Sequence, residues 1–354
     1  MKGTESGAGR MEWLDALRGL AILFVVLGHI PGCPHGLRVL AASFQIPLFY
    51  AITGLLAGLR GDADGAPLPS LARRARRLLW PYATFSALSI AYNLGAYGGE
   101  AALDALRRTL MLEGVATLWF LPACFLAECV FLTLRKAVSG CGGRLACAAG
   151  LAVACALASR WLYWHTGCVD PLTVGARYWG TTMAVRACFG ACFMLLGEAA
   201  AAQAGRVRAM DGRRLAAGIG AMLLSGGVCA LLCGMADPHY GWLGRPALYF
   251  PAALLLCSGL AAAFCRWGRE RRLMAFFGRG SLTVMATHYP LPVLRYAALA
   301  PRALGLGGLW AVALEFALAM AVEAGLVLAV DRWIPFMLRP PRLSRRAQPG
   351  RGSI

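Results

Sequence analysis

Apolar stretches of about twenty residues recur along the whole of this chain, each long enough to cross a hydrocarbon core roughly 30 Å thick. Few features restrict a fold more. In lipid every backbone N–H and C=O must be satisfied internally, and a helix does this within one segment. The stretches fall near 12–30, 40–59, 78–97, 117–134, 145–163, 182–202, 215–233, 247–265, 278–297 and 309–330. They predict an all-α polytopic bundle of about ten transmembrane helices with both termini in the cytoplasm. Only 15% of residues are charged, against about 25% in soluble domains. The connections are short, so residues 1–338 read as one transmembrane unit. Residues 339–354 read as a basic, disordered cytoplasmic tail.

The net charge of +18 follows the same alternation. With the N-terminus inside, 24 of the 35 Lys and Arg fall in inner segments and six in outer loops (Arg38, Arg107, Arg108, Arg177, Arg245 and Arg302). This is the positive-inside bias that orients membrane proteins, so the basic balance reads as topology and not as a nucleic-acid surface. It predicts a multi-pass protein of the plasma or inner membrane. The first apolar run holds Arg18 and lacks a small-residue cleavage site, so it reads as a retained helix and not a signal peptide. Residues 61–70 form a Gly/Pro-rich turn, and 101–112 have the spacing of a helix lying on the membrane surface.

Most of the 13 cysteines sit inside spans as small hydrophobes. Cys33 and Cys168 lie in outer loops and could pair in an oxidising compartment. No Cys/His spacing suggests a metal.

Ionisable residues inside spans cost about 2.5–3.5 kcal/mol on insertion scales and point to function. Arg18 and His29 share a face of the first helix, three turns and roughly 16 Å apart. The structural alternative is that Arg18 pairs with Asp15 while His29 caps the helix at the headgroups. Glu128 reads as a buried partner for an arginine such as Arg186, or as a ligand for substrate hydroxyls. Glu315 and Glu323 share a face of the last helix, with Arg295 or Arg279 as expected partners. Trp119, Phe120, Trp161 and Trp164 read as interfacial aromatics, of which Trp119 and Phe120 could stack on a sugar. The outer residues His165, Asp170, Asp237 and His239 read as solvated first, with a substrate-site role as the lesser alternative.

The segment WLDALRGLAILFVVLGH (13–29) resembles the opening of the acyltransferase 3 family of integral membrane O-acyltransferases. That family's hallmark is Arg, ten residues, His on the first helix. FQIPLFYAITGLL (44–56), RRARRLLWPY (73–82), LWFLPACFLAE (118–128) and FFGRGSLTVMATH (276–288) are similar to further family segments in the same order. The nearest branch is the sugar O-acetylase-like one. The chain departs from the pattern at Gln45, often His, at Thr53, often Ser, and at Gly280, often Asn.

The resemblance implies transfer of an acyl group, acetyl by default, from cytoplasmic acyl-CoA to a hydroxyl of an envelope carbohydrate or lipid-linked sugar. Acyl-CoA is then a substrate and not a resident cofactor. His29 suits a general base, and Arg18 could orient the acyl donor or balance developing charge. His288, beside Pro290 and Pro292, is a second acid/base or acceptor-binding candidate. Arg73, Arg74, Arg76 and Arg77 match coenzyme A phosphates, although topology signalling alone also explains such a cluster. A transporter or flippase of a polar envelope precursor is the alternative. No internal repeat is evident, which counts against it.

Overall fold

A computed structural model describes residues 11–61, 67–167, 169–268 and 271–340. Residues 62–66 of the expected turn at 61–70 fall outside them, as do Cys168 and the tail from 341, while 67–70, expected as turn, already belong to the third helix. The described elements are helical apart from one isolated two-residue bridge. In chain order the helices are α1 (Glu12–His29), α2 (His35–Arg60), α3 (Pro67–Tyr97), α4 (Gly99–Leu110), α5 (Phe120–Ala137), α6 (Cys141–Thr166), α7 (Pro171–Val174), α8 (Ala176–Ala201) and α9 (Ala204–Ala209). They continue with α10 (Gly212–Cys233), α11 (Pro246–Trp267), α12 (Arg272–Arg279), α13 (Ser281–Thr287), α14 (Val293–Ala297), α15 (Leu299–Ala303) and α16 (Gly308–Trp333).

Seven helical segments are long and apolar enough to cross a membrane: 35–60, 116–137, 141–166, 176–201, 212–233, 246–267 and 308–333. They coincide with seven of the ten expected spans, and the chain is an all-α polytopic membrane bundle. The other three expected spans carry charge or breaks. α1 holds Glu12, Asp15 and Arg18, and α3 opens on its arginine cluster. The span expected at 278–297 is not one helix. It divides at Gly280 and again at 288–292, where Pro290 and Pro292 lack the N–H a continuing helix needs. Non-helical backbone is tolerated at such depth only where it is buried in protein or lines a cavity. α4 occupies the region expected to lie on the membrane surface.

Two close helix crossings set the frame. A Cβ on Gly54 of α2 would stand 1.8 Å from the Met194 carbonyl oxygen of α8, and one on Gly197 of α8 would stand 2.0 Å from that of Ala51. Likewise a Cβ on Gly19 of α1 would meet the Met274 carbonyl at 1.8 Å, and one on Gly278 of α12 that of Asp15 at 1.7 Å. Small residues give helices in lipid the backbone-to-backbone packing that a hydrophobic effect cannot supply there. The α1–α12 crossing brings the C-terminal end of α1 beside that of α13. Thr117 ties α5 to the same place by donating to the Met285 carbonyl at 2.6 Å.

Candidate functional site

At the end of the bundle away from the Arg73–Arg77 cluster, the helix ends and loops enclose a cavity of about 340 Å³. His29 is the last residue of α1 and lines it. His29 Nδ1 lies 2.7 Å from the Val25 carbonyl, one turn back. His288, one residue past α13, repeats this arrangement, with Nδ1 2.7 Å from the Val284 carbonyl. A carbonyl only accepts, so each Nδ1 carries the hydrogen and each neutral ring keeps its acceptor lone pair on Nε2. The two rings meet edge to face with centroids 5.1 Å apart, and His288 Nε2 lies 3.4 Å from His29 Nδ1. The His288 lone pair therefore faces the N–H side of His29, leaving His29 Nε2 free to accept a proton. The Tyr289 ring lies 4.8 Å from that of His29 and also lines the cavity.

Arg38 fixes the end of α1. Its Nη2 donates to the carbonyls of Ile30 at 3.0 Å and Pro31 at 2.9 Å, groups that the helix terminus leaves without intrahelical donors. Gln45 lines the cavity from α2, at the position where the family often carries His.

Behind Trp119 and His239, which line the cavity, is a buried ionic cluster. Arg186 of α8 donates from Nη1 to Glu113 Oε2 at 2.7 Å, and from Nε to the His239 carbonyl at 2.7 Å. His239 Nε2 stands 3.6 Å from the same Glu113 oxygen. Its ring stacks on Trp119 at 5.1 Å, and the Arg186 guanidinium lies 5.0 Å from a Trp119 ring centroid, within cation–π range. Burial pushes the Glu113 carboxyl up, but hydrogen bonds and charge from His239 and Arg186 outweigh it, and the net shift is downward. Leu112 and Ala116 flank Glu113 with φ of +59° and +52°, a left-handed conformation that costs roughly 1–3 kcal/mol each in a non-glycine residue. Such a turn persists only where its surroundings hold it, and here Trp119 and Arg186 hold what it carries.

The residues anticipated from sequence divide between two levels. His29 and Trp119 line the cavity, while His288 is fully buried behind His29. Arg18 does not line it. Arg18 Nη1 lies 4.0 Å from Asp15 Oδ1, three turns below His29. Glu128 is a buried partner of arginine, but not of Arg186. Arg74 Nη1 reaches its Oε2 at 3.2 Å, and Arg77 Nη2 bonds its Oε1. Glu128 lies nine residues into α5 beyond Trp119, roughly 13 Å deeper, and the arginines rising from α3 reach it first. Arg73 and Arg76 are exposed.

The pairing expected for the last helix is also different. Glu323 Oε2 accepts from the Thr287 hydroxyl at 2.6 Å, and Arg295 donates to the Tyr97 hydroxyl at 3.2 Å. The outer polar residues are not simply solvated either. Asp237 and His239 line the cavity, and Asp170 pairs with Arg108 at 2.5 Å. Sequence reading missed Glu113, which sits in a loop with no periodicity to mark it. It also missed Arg38, which counts as one more loop charge until its carbonyl partners are seen.

The family model describing an acyltransferase domain (Acyl_transf_3) matches residues 11–328, a range that includes α1, the arginine cluster, the Glu113 turn and the His288 segment. No curated protein and no solved structure matches the chain. With His29 lining a cavity at one end of a membrane bundle, His288 buried behind it, and nearly the whole chain covered by one family, this protein belongs to the acyltransferase 3 family of multi-pass membrane acyltransferases.

Proposed function

We propose that the protein transfers an acyl group, acetyl by default, from cytoplasmic acyl-CoA to a hydroxyl of a cell-envelope carbohydrate or lipid-linked sugar, with His29 as general base. The observation that carries this reading is the orientation of the histidine pair. The Val25 carbonyl and His288 both lie on the Nδ1 side of His29, so its basic nitrogen is Nε2.

The acceptor oxygen attacks the thioester carbonyl carbon as its proton passes to His29 Nε2. The resulting imidazolium is stabilised through Nδ1–H by Val25 and the His288 lone pair. Collapse of the tetrahedral intermediate breaks the C–S bond, and the departing thiolate takes the proton back from Nε2. General-base assistance of this kind contributes about 10²–10⁴-fold. His288 is then a positioning residue and touches no substrate. Trp119 and His239 line the wall that the acceptor meets.

The donor binds at the other level. Arg73 and Arg76 are exposed on α3, and Glu128 holds Arg74 and Arg77, so the forked donors that match coenzyme A phosphates are presented together. Arg18 lies between donor and cavity on α1 and is suited to orient the acyl end.

The test is mass spectrometry of envelope glycan incubated with isotopically labelled acetyl-CoA and the purified protein in membranes, wild type beside His29→Ala. A labelled ester formed by wild type and lost in the variant is the expected result. A fully active His29→Ala would remove the assigned mechanism. No consumption of several acyl-CoAs by folded wild-type protein would turn the reading toward transport.

A further inference from the structure

The loop joining α10 to α11 faces two ways. Asp237, Pro238, His239 and Tyr240 line the reactive cavity, and Met235 lines both that cavity and a second cleft of about 410 Å³. The cleft's other walls are Arg160, Tyr163 and Trp164 of α6 with Trp242 and Arg245 of the loop. The loop holds one shape. Asp237 and Trp242 exchange backbone hydrogen bonds of 2.7 and 3.0 Å. Gly241 between them has φ of +68°, where a Cβ would meet Leu162 at 2.9 Å. Cleft and cavity therefore share a fixed wall.

The cleft's chemistry is specific. Tyr163 and Trp242 stack with centroids 5.9 Å apart and planes 15° from parallel. Arg245 Nη1 donates to the Leu232 carbonyl at 3.1 Å, which anchors one arm of its fork. Other arginines at this end of the bundle are occupied: Arg108 by Asp104 and Asp170, Arg186 by Glu113, and Arg38 by carbonyls. Among the described residues, neither Arg160 nor Arg245 has a carboxylate within ion-pair distance. Two guanidinium groups and a face of stacked rings thus border one recess without an acid to neutralise them. Forked N–H donors suit carboxylate or phosphate oxygens, and aromatic faces suit the apolar face of a sugar ring. An interfacial belt of Trp and Arg would place such residues singly toward headgroups. This recess instead has a floor of buried Ser159 and Cys233 and adjoins the reactive cavity.

We propose that the cleft bordered by Arg160, Tyr163, Trp242 and Arg245 is an anionic subsite for the acceptor glycan. It holds a carboxylate- or phosphate-bearing sugar next to the residue whose hydroxyl is acylated. This deepens the acyl-transfer reading and rests on it. A neutral acceptor occupies the reactive cavity alone, whereas an acidic one occupies both recesses and binds more tightly.

The experiment uses the full chain in phosphatidylcholine nanodiscs and two disaccharides differing in one group, cellobiose and cellobiouronic acid. Binding is read by saturation-transfer NMR and transfer by ester formation. Cellobiouronic acid is expected to bind more tightly than cellobiose, with affinity falling about tenfold in Arg160→Gln/Arg245→Gln, as for lost charge-assisted hydrogen bonds. The acid-over-neutral ratio of kcat/KM should fall toward one in that variant. Equal binding of the two sugars by wild type overturns the proposal. So does undiminished binding of the acid by the variant. If phosphatidylglycerol in the nanodisc abolishes binding of the acid, the cleft takes a lipid phosphate and its assignment to the acceptor fails. Arginine-dependent binding without ester formation would keep the subsite and overturn the acyl-transfer reading instead.

Discussion

At one level of the bundle stand His29, His288, Glu113, Arg186 and His239; roughly three helical turns deeper stand Arg18, Asp15, Arg74, Arg77 and Glu128. At the first level, backbone carbonyls orient the side chains: Val25 and Val284 set the imidazoles, and the His239 carbonyl receives Arg186. The groups come from α1, α8, the segment after α13 and two irregular loops. At the second level the partners are charged side chains on long helices, paired directly. Backbone-fixed groups resist reorientation, as a proton-transfer site requires. Ion-paired side chains on helices can exchange one anion for another, as a site for a diffusing phosphorylated donor requires. Perturbing the first level should therefore appear in kcat and stability, and perturbing the second in KM.

The largest effect expected is from His29→Ala. Turnover should fall by about 10²–10⁴-fold, with little change in thermal unfolding in detergent, because the ring lies at a helix end and lines open space. His288→Ala should lower kcat less and displace the pH–rate profile, since it removes the acceptor behind the His29 N–H and leaves Nε2 in place. Equal losses from both variants would mean that the two rings act as one unit, and the division into base and positioner would go.

Arg186→Met should be the most costly change to stability. It leaves Glu113 buried without its cation, and breaking a buried pair from one side costs about 3–5 kcal/mol. Glu113→Gln in the same chain should recover part of that loss. The native Glu113 pKa is depressed relative to the unfolded chain, so its contribution is fully present above the ordinary carboxylate pKa. It is lost as pH falls through the depressed native value. Wild type should therefore lose stability on acidification below the usual carboxylate range more steeply than Arg186→Met/Glu113→Gln. Parallel acid transitions would show that Glu113 carries no such linkage.

Gly278→Ala should fall between these levels. A Cβ there would overlap the Asp15 carbonyl of α1, so α12 must move away from α1 at a cost of about 1–3 kcal/mol. The displacement is passed to α13 and changes the 3.4 Å approach of His288 to His29. Activity should decline more than melting temperature. An active variant with an unchanged pH profile would show that the histidine pair tolerates the shift.

The bundle was legible in sequence because a lipid-spanning helix must be apolar throughout its length, a signal contained in each segment. His29 was legible for a related reason: an ionisable residue inside such a segment has few bland explanations. Trp119 was found through its neighbours, in a stretch resembling a family segment. Glu113 was not found as a site residue and His239 only as a lesser alternative, because loop carboxylates and imidazoles have solvation as their default and nothing local marks burial. Partner choice was the least legible property. Glu128 was expected to take an arginine and did, but depth along α3 and α5 decided which one, and depth is a product of packing. The same holds for Arg295, which lies on a helix packed against α16 yet bonds the Tyr97 hydroxyl.

The smallest effect expected is at the second level. Arg73 and Arg76 are exposed, and exposed ion pairs are worth about 0.2–1 kcal/mol each. Arg73→Gln/Arg76→Gln should therefore raise KM for acyl-CoA by about 2–10-fold, leaving kcat and melting temperature near wild type. Raising the salt concentration should shrink the difference, because screening weakens exposed charge pairs most. Glu128→Gln sharpens the point, since it releases Arg74 and Arg77 from their carboxylate without removing either guanidinium. If those two arginines serve the donor as oriented forks, losing the carboxylate that orients them should raise KM for acyl-CoA and leave kcat alone. A fall in kcat with KM unchanged would place Glu128 with the reacting groups and erase the division between the two levels.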